Sequence, residues 1–267
     1  MNRDGETDPR SRSALDADIL AWLRDEAAQP FAGWDFSYID RRTSVDPLPW
    51  DYRKLIQRQL PEVKALLDLG TGGGEFLASL APLPPHTRAT EGYPPNLPVA
   101  RERLEPLGVT VRDVGSDNRL DFADGEFDLV IDRHESYDPA EVWRVLRPGG
   151  SYVTQQVSGD NDEDLNRLLG APPSEVVLDE PDWCLSTARA SLERAGFTIE
   201  QAEEAEPLMR FFDAGALVFH LSAIPWQIPG FSVDAYAGRL VALQRQCLAG
   251  RPIESRNGRF LLRARKP

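Results

Sequence analysis

The stretch Ala65-Leu66-Leu67-Asp68-Leu69-Gly70-Thr71-Gly72-Gly73-Gly74-Glu75-Phe76 decides the fold. It opens as a short apolar run broken by one acid, the pattern of a strand buried on both faces. Four glycines follow within five residues, and then Phe76-Leu77-Ala78-Ser79-Leu80-Ala81 reads as a helix. Strand, glycine turn and helix together grip nucleotide-like ligands, because glycine admits positive φ and close backbone approach. The helix N-terminus beyond such a turn favours negative charge. The dinucleotide spacing G-x-G-x-x-G is not met here: counted from Gly70 its last position is Glu75, and counted from Gly72 it is Leu77. The spacing present is Asp68-x-Gly70-x-Gly72-x-Gly74.

A chain of 267 residues suits one large domain, or one domain with an appendage, and can bury a substantial core. Its hydrophobic fraction of 41% and charged fraction of 27% are those of an ordinary soluble protein. No apolar run approaches the roughly 20 residues of a membrane helix, and the polar N-terminus carries no signal-peptide core. A cytoplasmic protein without membrane contact is expected. Cys184 and Cys247 stand far apart without zinc-like spacing, so neither a metal site nor a disulfide framework is indicated. The net charge of −13 makes nucleic acid an unlikely partner, since polyanion binding draws on lysine and arginine. Oligomeric state is not legible.

Outward from the glycine stretch, strands and helices alternate. Thr87–Glu91 is a second strand and Pro98–Leu107 a helix. Val109–Val114 and Phe127–Ile131 are the third and fourth strands. A helix from Asp138-Pro139 to Leu146, a Pro148-Gly149-Gly150 turn and a fifth strand, Ser151–Val157, come next. Asn161–Leu169 and Ser186–Ala195 are helices, Phe197–Ile199 opens a sixth strand, and Gly258–Ala264 is the last. This alternation argues an α/β fold with a doubly wound, mostly parallel sheet. Upstream, residues 1–13 read as a disordered tail and Asp16–Gln29 as a helix. Pro30–Ile39 packs four aromatics into a segment that either plugs onto the core or forms a lid. Asp51 caps a helix running to Leu60. Residues 207–257 interrupt the pattern with two helices, Phe211–Ala223 and Val233–Leu248.

Four ordered features carry a resemblance to the class I S-adenosylmethionine (SAM) methyltransferases, type 11-like. The Asp68-x-Gly70-x-Gly72-x-Gly74 loop resembles their first motif. Glu91 lies at the end of the second strand. Leu120-Asp121-Phe122-Ala123-Asp124-Gly125-Glu126-Phe127-Asp128-Leu129-Val130 is similar to their LPF-x-D-x-x-F-D-x-V stretch, with Asp121 in place of the proline. Leu146-Arg147-Pro148-Gly149-Gly150 is similar to their turn before the fifth strand. The resemblance covers about residues 63–157. It implies a seven-stranded sheet in the order 3-2-1-4-5-7-6 with the last strand antiparallel, and SAM as cofactor. Gly70, Thr71, Gly72 and Gly74 would face the methionine part and ribose, Asp68 would hold the loop or the amino group, and Glu91 would accept from the ribose hydroxyls. Asp117 would meet the adenine amino group, or else serve as a turn residue.

Methyl transfer from a sulfonium is in-line displacement, so alignment of the acceptor is the main task of the protein. A base is useful where the acceptor must lose a proton. Asp132-Arg133-His134-Glu135-Ser136-Tyr137 follows the fourth strand. His134 is the base candidate by its ordinary pKa, or else packs under the cofactor or caps the next helix. Glu135 could orient or replace it. Arg133 is grouped with the cofactor site; it could also pair with an anionic acceptor or stay solvated. Gln155 and Gln156 could present amides to substrate, and His220 reads as a core histidine. Trp34, Phe36, Tyr38, Trp50, Trp226 and Phe231 could line an apolar pocket over the cofactor. The expected organisation is a tail (1–13), an N-terminal helical and aromatic cap (14–60) and a SAM-binding domain (61–267) with an insertion at about 207–257. The expected function is methyl transfer to an oxygen or nitrogen of a small molecule, the alternatives being RNA methylation or SAM binding without transfer.

Overall fold

Apolar runs too short for helices and flanked by glycine and proline turns place a parallel sheet at the centre of the molecule. The computed structural model describes residues 9–32, 34–115, 119–175 and 182–267. Across its main sheet the strands are β4 (Thr110–Asp113), β3 (His86–Glu91), β2 (Ala65–Leu69), β5 (Phe127–Arg133), β6 (Leu146–Val157), β10 (Arg259–Arg265) and β7 (Thr198–Ala205). Numbered among themselves these seven run 3-2-1-4-5-7-6, as the resemblance implies. β10 lies antiparallel to both neighbours, and the first five strands are mutually parallel.

All five residues of β2 are buried, as expected for a central parallel strand. Alternate residues feed opposite cores. Leu67 joins Val130, Tyr152 and Phe260 on one face, packed by α5 (Pro139–Val145) and α7 (Leu185–Arg194). Leu66 joins Leu129, Val153 and Leu261 on the other, packed by α2 (Tyr52–Gln57), α3 (Glu75–Ala78) and α4 (Asn96–Leu104). Because β2 pairs with β3 on one side and β5 on the other, the crevice beyond its carboxyl end is the position where open α/β sheets bind ligands.

A second lobe was only half legible. β1 (Thr43–Val45), β8 (Leu208–Phe211) and β9 (Ile253–Arg256) form a separate antiparallel sheet. With α1 (Pro9–Ala27), α6 (Glu163–Leu169), α8 (Ala214–Ala223) and α9 (Ala237–Leu248), it encloses a third core that includes Leu23, Ile39, Phe211, Leu217 and Leu240. The N-terminal segment and the 207–257 insertion are therefore one structure. Residues 50–60 leave it, since Trp50, Tyr52 and Ile56 pack on the main sheet. An arginine ties the two sequence segments together: Arg42 reaches Glu26 at 2.9 Å and Asp213 at 2.5 Å. Asp213 also caps α8 by accepting from the Ala216 amide at 2.8 Å.

Boundaries shift in physically simple ways. The first helix starts at Pro9, since proline suits an opening turn, and residues 1–8 of the expected tail lie outside those described. The apolar 211–223 run divides between strand β8 and helix α8, with Asp213 as the stop and start signal. Pro148-Gly149-Gly150 forms a bulge within β6, whose register moves from Phe127–Leu146 to Leu129–Ser151. Among the described residues no helix is long and apolar enough to cross a membrane, and no group of acids, histidines and cysteines is arranged to hold a metal.

Candidate active site

The glycine loop takes the conformations its composition allows. Gly70, Gly72 and Gly74 all have positive φ, at 60°, 60° and 82°. A Cβ on Gly70 would overlap the Glu135 side chain, so this glycine supplies close approach as well as conformation. The loop is stitched to β3, with the Thr71 amide donating to the Thr90 carbonyl at 2.8 Å. Glu75 is turned away into an ion pair with Arg103.

Three carboxyls converge on this loop. Asp68 is buried, and its desolvation lifts its pKa to about 7 against the lowering influences of Thr71 and Arg133. Glu91 accepts from the Tyr93 amide at 2.7 Å and is raised by burial. Glu135, at the end of the β5 loop, is raised by burial and by the charge of Glu91. The Thr71 hydroxyl is buried and, among the described residues, has no partner of good hydrogen-bond geometry. Acids held above their ordinary pKa, together with an orphaned hydroxyl, make a site short of cationic and donor groups. Beside it, Leu69, Thr90, Val114, Leu120, Tyr137 and Val142 line a narrow, largely apolar pocket.

The loop after β5 is fixed from beneath. Asp132 is fully buried at the end of the strand, and its carboxylate accepts from the Tyr152 hydroxyl at 2.7 Å, the Gln156 amide at 3.1 Å and the Glu135 backbone at 3.1 Å. The Tyr52 hydroxyl donates to the Asp132 carbonyl at 2.7 Å and accepts from its amide at 3.0 Å. His134 takes a left-handed φ of 69°, which its amide secures by donating to the Gln155 carbonyl at 2.9 Å.

The His134 tautomer follows from its neighbours. Trp50 Nε1, which can only donate, lies 2.8 Å from Gln155 Oε1. The Gln155 NH₂ therefore faces His134 Nε2, at 3.1 Å, and donates to it. His134 is neutral and carries its proton on Nδ1; burial pushes its pKa well below the ordinary value, and the charges of Arg259 and Arg133 push the same way. Both glutamine amides expected to face substrate are thus engaged inside the protein, Gln156 with Asp132, Thr154 and the Glu135 carbonyl.

Above the loop sits the aromatic cap. Trp34 stacks on Trp226 with centroids 5.9 Å apart and planes 4° from parallel, and it also meets Phe31 and Phe36 edge-on. Its Cβ would lie 3.7 Å from a Cβ on Gly72, so this pair stands directly over the glycine loop. Phe36 continues to His220 at 5.6 Å. His220 is buried in the cap core, but neither ring nitrogen makes a hydrogen bond, and its nearest carboxylate, Asp162, is 3.6 Å away.

Asp68, Gly70, Thr71, Gly72, Glu91, His134 and Glu135 are gathered around one crevice. Gly74 turns away under Leu104, and Arg133 lays its guanidinium over Phe76 at 4.6 Å. Asp117 lies outside the described residues. Of the six aromatics named from the sequence, Trp34, Phe36 and Trp226 cluster over the loop, Tyr38 packs on Phe219, Trp50 is buried against Gln155, and Phe231 stacks on Tyr236. Tyr52 and Arg259 went unnoticed. Tyr52 looks like any amphipathic helix residue, and Arg259 like a polar residue opening a strand.

A family model described as a methyltransferase domain matches residues 67–154. No curated protein matches the sequence. Among solved structures, a Bacillus halodurans protein provisionally assigned as a methyltransferase shares 23% identity over 81% of this chain and 99% of its own, with a TM-score of 0.57. The YcgJ protein of Bacillus subtilis is 17% identical over 80% of this chain and 97% of its own, with a TM-score of 0.54. The [4+2]-cyclase SpnF is 20% identical over 96% of this chain and 95% of its own, with a TM-score of 0.53. At these identities the likeness is one of fold.

Proposed function

We propose that this chain, whose residues 67–154 match a methyltransferase-domain model, is a class I SAM-dependent methyltransferase that moves the methyl group of SAM to an oxygen or nitrogen of a small molecule seated beneath the cap. SAM, when bound, supplies an electrophilic methyl group on a sulfonium. The observation that carries this reading is the acid-lined glycine loop, where burial holds the pKa of Asp68 up at about 7. Asp68 and the unpartnered Thr71 hydroxyl would take the amino-acid end of the cofactor, Gly70 and Gly72 would admit it by close approach, and Glu91 would accept from the ribose. The apolar pocket beside Tyr137 would hold the adenine. Arg133 would temper the acidic charge from its place over Phe76. The N-terminal segment ahead of Trp50 and the insertion at about 207–257 would together set acceptor choice on the SAM-binding domain.

Proton removal falls to Glu135. Its carboxyl lies against Gly70 of the glycine loop, and a pKa raised by burial suits a base working near neutrality. A base needs a vacant lone pair, and that of His134 Nε2 is filled by Gln155. His134 instead positions the loop and offers its Nδ1–H. The fold also hosts chemistry other than methyl transfer, so the site must be tested directly. Labelled SAM is incubated with the protein and either small-molecule extract or total RNA. Label is expected in the small-molecule fraction, and Glu135→Gln should lower turnover by about 100-fold or more while leaving SAM affinity within a few-fold. Label confined to RNA would overturn the acceptor class, and no label with intact SAM binding would overturn methyl transfer.

A further inference from the structure

Arg259 opens β10 at the carboxyl edge of the sheet, opposite Val157 of β6. Alternation places it on the face of Leu261, the same face as Gln155, which pairs with Leu261. It is close enough to His134 for its charge to act there. Its surroundings pull its pKa down by burial, and the charge of Asp162 only partly offsets this.

What the guanidinium does within the chain is one-sided. Nη1 donates to Asn161 Oδ1 and, at 2.9 Å, to the Gly258 carbonyl. Among the described residues Nε and Nη2 donate to nothing, and Arg259 makes no ion pair. Acids are not scarce, with 43 against 30 bases. Arg42, Arg144, Arg210 and Arg256 all find carboxylates. Asp162, whose charge reaches Arg259, is committed elsewhere. Its Oδ1 accepts from Ser255 at 3.0 Å and Asn257 at 2.5 Å, and its Oδ2 accepts from Asn161 at 2.9 Å. A partly buried cation whose hydrogen-bond partners are both neutral, with its nearest acid committed elsewhere, is an incomplete pair.

We propose that the Nε–Nη2 edge of Arg259 binds the carboxylate of an anionic acceptor, with the aromatic body of that acceptor lying toward Phe36 and the Trp34–Trp226 pair. This deepens the reading above and rests on it. The edge presents two parallel N–H donors, the geometry that matches a carboxylate in bidentate fashion. The path from Arg259 through Asn161, Asp162 and His220 to Phe36 joins the guanidinium to the cap aromatics by direct contacts. Arg259 is thus a specificity residue that selects acceptors by charge, while the proton chemistry stays with Glu135. Phosphate monoesters share the oxyanion chemistry and are separated from carboxylates in the test.

The full chain, loaded with S-adenosylhomocysteine, is titrated with benzoate, phenyl phosphate and the uncharged isostere benzamide, and binding is followed by calorimetry and tryptophan fluorescence. Saturable benzoate binding is expected, with benzamide at least about tenfold weaker, in keeping with loss of a charge-assisted hydrogen-bond pair. Arg259→Gln should weaken benzoate by about tenfold or more, and Arg259→Lys by less. Both variants should keep the wild-type affinity for S-adenosylhomocysteine, which certifies their fold. Tighter binding of phenyl phosphate than of benzoate, lost in Arg259→Gln, would keep the oxyanion site and reject the carboxylate. Equal binding of benzoate and benzamide, no binding of either anion, or an Arg259→Gln variant that binds benzoate like wild type would overturn the proposal. Failure of S-adenosylhomocysteine to bind would instead strike the cofactor reading; the same titrations on the unloaded chain would still report on Arg259.

Discussion

On the proposed cofactor reading Asp68 would sense the charge of the cofactor, and replacing it with asparagine separates its contribution from those of its neighbours. Its pKa rises from the ordinary 3.8 to about 7, and each pKa step is worth about 1.4 kcal/mol, so the unliganded site carries a penalty of about 4 kcal/mol on the ionised form. The sign is set by which state keeps the proton. The folded chain holds it up to about pH 7 and the unfolded chain loses it near pH 4, so stability of the unliganded protein falls as pH rises through that window and levels off above it. A ligand cation beside Asp68 favours the carboxylate, so binding below about pH 7 must expel the proton. SAM affinity at pH 6 is then about tenfold weaker than at pH 8, a difference of about 1.4 kcal/mol. Glu91 and Glu135 are also raised by burial and add to the wild-type slope. The Asp68→Asn variant cannot take part, so the difference between the two proteins isolates Asp68. Calorimetry at pH 6 and 8, in two buffers of different ionisation enthalpy, reads both affinity and protons released. Equal affinity of the wild type at the two pH values, or an asparagine variant with the full wild-type pH slope, would refute the reasoning.

Gly70→Ala combines a positive φ with overlap against Glu135, so it should abolish measurable SAM binding and cost more than the ~1 kcal/mol expected of left-handed alanine alone. Gly72→Ala, whose Cβ would meet only Trp34 Cβ at 3.7 Å, is the control, and urea midpoints should rank the two in that order. Arg42→Leu leaves Glu26 and Asp213 without their cation at the joint between α1 and α8. It should lower stability by about 3 kcal/mol by denaturant unfolding, and a change under about 0.5 kcal/mol would show that the pairing does not hold the cap together.

How much the sequence revealed depends on how local each feature is. The strand at Ala65–Leu69, the glycine turn and the acid at Glu91 were all legible, whereas Pro148-Gly149-Gly150 read as a turn and proved to be a bulge inside β6. Each rests on backbone chemistry: apolar runs seek a parallel sheet, and glycine permits a positive φ. The Asp51, Asp138 and Asp213 caps are equally local, since each accepts from an amide two or three residues on. The split of 211–223 into strand and helix was missed because both halves are apolar, and the partners of the strand, β1 and β9, are remote in sequence.

From the sequence alone came the parallel sheet, the family resemblance and the cofactor it implies, because these follow from the order of short motifs along one contiguous stretch. Tertiary structure alone decided three things. It joined the N-terminal segment to the distant insertion as one cap, through a shared core and the Arg42 pairs. It filled the lone pair of His134 with an amide whose orientation is set by Trp50, 105 residues from its glutamine. And it left one edge of Arg259 without a partner among the described residues. Lone pairs, ion pairs and burial depend on which atoms meet across the fold. The glycine loop therefore announces its cofactor in the sequence, while the groups that would meet the acceptor are set only when the chain has folded.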